Sequence, residues 1–100
     1  MIKRIVKLTF RADKIDDFLL IFEQSKQKIR AREGCHHVEL LQMPSQPNVM
    51  FTFSVWDSEE YLNQYRNSDL FVTTWAATKA LFDGKPEAWT TQMINAAEVW

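Results

Sequence analysis

Two adjacent histidines, His36 and His37, are the residues of this chain whose side-chain type titrates near neutrality. Either suits a general base. Successive side chains of a β-strand point to opposite faces, so at most one of the two reaches a given site. A strand histidine at an edge or interface is the competing structural reading. Cys35, His37 and Glu39 follow at two-residue spacing, which places them on one strand face and suggests a metal set. A zinc site needs three or four converging ligands, and no second cluster of such residues occurs in the sequence. Polar residues on the solvent side of a strand are the better reading. Cys35 has no evident activating partner and reads as a small packed residue.

The aromatic residues carry a second kind of chemistry. Tyr65 follows Tyr61 at helical spacing, and Phe71, Trp75 and Phe82 continue an apolar stripe. Most such stripes are core. A buried phenol or indole still needs a hydrogen-bond partner, which makes Tyr65 and Trp56 candidate donors to a substrate oxygen. Chemistry that runs through a substrate carbanion or phenolate requires a base to generate that anion. It also requires donors that hold the anion and a dry apolar pocket. His37 or His36 would be the base, Tyr65 and Trp56 the donors, and Phe71 and Trp75 the walls. Arg4 and Arg66 could hold an anionic substrate, but they read better as solvated charge. Ser58-Glu59-Glu60 is a helix-capping turn, and no P-loop, GxGxxG or Ser/His/Asp arrangement is present.

The elements that must position these residues follow from periodicity. Residues 2–10 alternate: Ile2, Arg4, Val6, Leu8 and Phe10 share one face, and Lys3, Ile5, Lys7 and Thr9 the other, as in a strand. Asp13 is a fitting N-cap for a helix whose apolar stripe contains Ile15, Phe18, Phe22 and Ile29, widened by Leu19 and Ile21. Gly34 is placed to cap its C-terminus. Residues 35–43 form a second strand, PSQPN at 44–48 a loop, and residues 49–56 a third strand. In the third strand Val49, Phe51, Phe53 and Val55 oppose Met50, Thr52, Ser54 and Trp56. A helical region runs to about Phe82, with a break near 67–69 where Ser68 or Asp69 caps a second segment. Gly84 suits a left-handed stop before Pro86, and residues 89–99 give a last strand.

The order β-α-β-β-α-β predicts a ferredoxin-like α+β fold: a four-stranded antiparallel sheet with helices on one face, over a single domain of residues 1–100. Helices on one face leave the other open. The apolar content of both faces of the third strand predicts that a second copy covers it, making a homodimer. The 100 residues carry a net charge of −1, so nothing draws the chain to nucleic acid or an anionic membrane. One cysteine excludes an intrachain disulfide and fits a reducing compartment. The first ten residues alternate charged and apolar types, unlike a signal peptide. The expectation is a cytoplasmic protein.

The segments VKLTFRADKIDDFLLIFEQ, EGCHHVELLQ, FTFSVWDSEEYLNQYRNSDLF and LFDGKPEAW carry a resemblance to the antibiotic-biosynthesis monooxygenase family of dimeric α/β barrels. It spans roughly residues 3–93. Its marks are a Gly before the second strand, a Trp closing the third, then Ser-Glu-Glu and a Ser-x-x-Phe helix. The resemblance implies a choice of activities: oxygenation of activated aromatic compounds without metal or flavin, haem degradation, or isomerisation of a phosphorylated autoinducer. The haem-degrading branch is matched by Trp56 and by SDLF at 68–71. Tyr65 stands where that branch has a helix Trp, Trp75 at its axial His, and Val6 near its strand-one Asn. Trp75 cannot ligate iron. Many other members carry a His near the position of Tyr65, a further departure.

The function that follows is a cofactor-independent monooxygenase acting on a small activated aromatic or quinone-like molecule. His37, Tyr65 and Trp56 would be catalytic, Phe71 and Trp75 would form the substrate pocket, and there would be no metal or cofactor. The alternative is a non-catalytic ligand-binding dimer of the same fold. A cavity receiving Tyr65 and a histidine favours catalysis; one filled by Trp56, Phe71 and Trp75 favours the alternative.

Overall fold

The computed structural model describes residues 1–98. Four strands form one antiparallel sheet: β1 (Ile2–Thr9), β2 (Cys35–Met43), β3 (Gln46–Trp56) and β4 (Glu87–Gln92), in the spatial order β2-β3-β1-β4. Three helices connect them: α1 (Ile15–Arg30), α2 (Glu59–Arg66) and α3 (Asp69–Lys79). This is the predicted ferredoxin-like arrangement, with α2 and α3 sharing the second crossover. No described helix is long and apolar enough to cross a membrane.

Local chemistry sets most boundaries. Asp16 and Asp17 lie in the first turn of α1 and Lys28 and Arg30 in its last, the sign order a helix dipole favours. Ser68 separates α2 from α3: its hydroxyl accepts from the Phe71 backbone N–H at 3.3 Å. Asp13 does not cap α1. It sits inside a short 3-10 turn at Ala12–Lys14, and α1 starts beyond it without a side-chain cap. Gly34 is left-handed, with φ of 81°, but α1 has already ended at Arg30 and the glycine turns the chain into β2. Gly84 does not adopt a positive φ. β3 begins earlier than the alternation suggests, because Pro47 lies beside a register shift at Gln42/Met43. There Gln42 Nε2 donates to the Pro47 carbonyl at 2.8 Å, and the missing proline N–H costs no ladder bond. β4 ends at Gln92, short of the predicted 99, a position that lies outside the described residues.

The helix-facing side of the sheet packs two apolar clusters. Leu8, Phe10, Phe18 and Met50 centre one; Ile29, Cys35, Trp56 and Leu62 centre the other. Leu19 is excluded from both and is exposed. On the opposite side of the sheet none of the described helices packs. One cross-strand row there runs Trp89, Ile5, Phe53, Glu39, and the next runs Glu87, Lys7, Phe51, Leu41. Trp89 and Leu41 are 45% and 46% exposed.

Candidate functional site

Between the two clusters the helices stand off the sheet and leave a cavity of about 320 Å³. Arg4, Val6, Leu8, Val38, Thr52 and Ser54 form its floor. Phe18, Ile21, Phe22, Ser25 and Ile29 of α1 form one wall, and Leu62, Tyr65, Arg66, Phe71, Thr74 and Trp75 of α2 and α3 the other. The floor residues alternate along β1 and β3, so strand periodicity alone puts them on one face.

The break at Ser68 is what brings Tyr65 and Phe71 together. In one continuous helix, residues six apart would lie about 120° from each other around the axis. Restarting the helix turns Phe71 back toward Tyr65, and their rings meet edge-on at 5.3 Å. Phe71 stacks in turn on Trp75, with centroids 5.9 Å apart and planes 8° from parallel. All three line the cavity.

Tyr65 is the chemically distinctive member. Burial, with a smaller contribution from Cys35 and against the pull of Arg32, pushes its pKa up to about 12. It therefore stays a neutral phenol, able to donate a hydrogen bond across the ordinary pH range. Its ring stacks on Trp56 at 5.2 Å and 21°.

Trp56 occupies a different place from the one its residue type suggests. It is fully buried and does not line the cavity. Its indole N–H donates to Ser54 Oγ at 3.0 Å and is not aimed at a substrate. Trp56 backs Tyr65 and occupies an acceptor position on Ser54, a residue of the cavity lining. Ser54 thus joins the site, a role its residue type does not signal; the clue available in the sequence is its place two residues before Trp56 on one strand face.

Neither histidine reaches the cavity. His36 is the extra residue of a β-bulge: Cys35 pairs with Trp56 and His37 with the next residue back, Val55. The bulge breaks the alternation on which the shared Cys35/His37/Glu39 face depended. Cys35 turns into the helix-side cluster, where burial pushes its thiol pKa up. His37 turns to the open face, bonded to Glu39 at 2.8 Å and edge-on to Phe53 at 6.0 Å. His36 bonds Asp57 outside the sheet. Among the described residues, no three His, Cys, Asp or Glu side chains converge as a metal site would require.

Arg4 and Arg66 both line the cavity, one from the floor and one from the last turn of α2. The Arg4 Nη1 donates to Thr90 Oγ1 at 2.6 Å. Burial first, and then repulsion from Arg66, lowers the pKa of Arg4, with Glu59 acting in the opposite sense.

The sequence profile of the antibiotic biosynthesis monooxygenase family matches residues 1–77. No curated protein matches the chain. Among solved structures, a conserved protein from Methanosarcina mazei Go1 is 20% identical, with a TM-score of 0.87 over 91% of this chain and 90% of that one. An antibiotic biosynthesis monooxygenase superposes at a TM-score of 0.88 with 16% identity, over 95% of this chain and all of its own. Rv0793 from Mycobacterium tuberculosis gives 0.88 with 16% identity, over 97% and 98%. At these identities the likeness is one of fold.

Proposed function

This chain belongs to the antibiotic biosynthesis monooxygenase family, and from that premise we propose that its cavity oxygenates a small, flat, acidic aromatic or quinone-forming molecule with dioxygen and no bound cofactor. The observation that carries the reading is a preformed, largely apolar cavity lined by a buried tyrosine that stays neutral, Tyr65. The substrate anion gives an electron to dioxygen, and the two radicals combine. One oxygen atom stays in the product as a carbonyl in place of two hydrogens, and the other leaves as water. The substrate supplies all the electrons, so no external reductant is needed.

Each wall residue has a part in that chemistry. Tyr65 donates to the substrate oxyanion, Ser54 offers a second hydroxyl, and Phe71 and Trp75 take the ring faces and keep water out. His37 is withdrawn as base because it stands on the other face of the sheet. Among the described residues no histidine or carboxylate lines the cavity, so the substrate must be acidic enough to lose its proton to bulk solvent before it enters. Haem chemistry is not proposed, since the indole of Trp75 offers iron no ligand.

Oxygen uptake with reduced naphthol- or anthrol-type compounds tests the reading. Wild-type protein should consume oxygen, and Tyr65→Phe should lose about tenfold or more of the rate while keeping its fold, because one donor to a developing oxyanion is removed. Equal rates would remove Tyr65 from the chemistry, and wild-type uptake no faster than a protein-free control would favour the non-catalytic, ligand-binding alternative. We also propose that residues 1–100 act as one such domain, that the protein is cytoplasmic, and that a second copy covers the open sheet face. The face carries Lys3 and Lys7 on β1 between Glu39 on β2 and Glu87 on β4, around an apolar centre, a pattern suited to pairing with itself.

A further inference from the structure

Arg4 and Arg66 are 62 positions apart in the chain, yet both border the same cavity. Arg4 lies in a cross-sheet row between Ser54 and Thr90. Its bond to Thr90 Oγ1 fixes one nitrogen and leaves most of the five-donor fork uncommitted. Among the described residues, neither guanidinium has a carboxylate within ion-pair distance. Glu59 acts on Arg4 only at longer range. Two like charges beside an apolar cavity, one of them half-buried, are costly until an anion joins them.

We propose that Arg4 and Arg66 form a carboxylate clamp, so that the preferred ligand of the cavity is a flat aromatic carboxylate and not a neutral phenol or quinone. The inference rests on reading the cavity as a substrate pocket and adds the feature by which it selects. The planar guanidinium fork matches the geometry of a carboxylate and holds it by charge-assisted hydrogen bonds. The division of the lining fits such a molecule. Val6, Phe22 and Trp75 offer apolar surface to rings, and Arg4, Arg66 and Ser54 offer donors to an acid group. A volume of about 320 Å³ is at the small end for ligand pockets and suits one or two fused rings with a single acid group. Burial and then repulsion from Arg66 lower the pKa of Arg4, and the charge of an entering anion offsets both.

Calorimetric titration with 1-hydroxy-2-naphthoate and with its methyl ester tests the clamp. The wild-type protein should bind the acid about tenfold more tightly than the ester, the scale of one charge-assisted pair. Arg4→Met and Arg66→Met should each cut that preference to about twofold, the acid losing more affinity than the ester. Arg66 is exposed, so its variant should melt as the wild type does, and it carries the test if Arg4→Met folds poorly. An ester bound as tightly as the acid by the wild type, or a preference that survives in Arg66→Met, overturns the clamp and leaves the pocket reading standing. If neither probe binds the wild type, the pocket reading falls and the clamp with it.

Discussion

At the residue scale, the phenol of Tyr65 carries the most information. Its ionisation is opposed first by burial, which penalises the phenolate. The folded-state pKa, raised from 10.0 to about 12, makes a signed prediction. Below the unfolded value the group is neutral in both states and costs the fold nothing. As pH rises beyond it, the unfolded chain ionises first, and stability falls until the folded pKa is passed. In a Tyr61→Phe protein, where Tyr65 is the remaining tyrosine, phenolate absorbance should rise late and together with alkaline unfolding. A midpoint at the ordinary tyrosine value in a folded protein would show the hydroxyl solvated and remove the donor on which the proposed chemistry depends. Trp56 shows how residue type and role separate. An indole at a strand end has the right donor for a substrate oxygen, but here its N–H is held by Ser54 and its ring supports Tyr65.

At the element scale, two short connections decide the site. The break between α2 and α3 aims Phe71 and Trp75 at Tyr65, and the Ser68 cap made that break legible from the sequence. The turn from α1 into β2 depends on Gly34. A Cβ there would lie 2.4 Å from the Tyr61 ring carbon Cγ, at a φ of 81° that other residues adopt at a cost. The contact is with the root of the side chain, not its tip, so relief requires α2 to move. Gly34→Ala should therefore destabilise the protein by roughly 2–3 kcal/mol. Thermal melting checks this, and a drop of about 10 °C is the expected size for a chain of this length. An unchanged midpoint would mean that α2 is loosely seated, and with it Tyr65 and Arg66.

At the scale of the whole molecule, the sheet has one face packed under helices and one bearing Ile5, Phe51 and Trp89 on which no described helix packs. Exposing that much apolar surface costs free energy that pairing with a second copy recovers. Sedimentation at micromolar concentration should give twice the mass of one chain. Trp89→Glu, which puts a charge on an exposed indole position of that face, should shift the equilibrium toward monomer and leave the helix-side cavity intact. A wild-type monomer would refute the assembly, while the chemistry is tested separately by oxygen uptake in the Tyr65→Phe protein. His37 belongs to this scale: bonded to Glu39 and set against Phe53, it is a residue of the open face.

The alternation of β1 and β3, the apolar stripe of α1 and the acidic first turns are local, since each needs only neighbours within a turn or two. They were enough to determine the element order, the helix-covered face and the apolar stripe that carries Tyr65, Phe71 and Trp75. What alternation cannot register is a residue that drops out of the pairing. The bulge at His36 turns Cys35 toward the core and His37 away from the cavity, and it exists only in the register of β2 against β3. The meeting of Arg4 with Arg66 was equally invisible, since read singly each is an ordinary surface charge. Only the packing of α2 over the sheet places the two guanidiniums on one cavity, because proximity between residues so distant in the chain is a property of the fold and not of any local pattern.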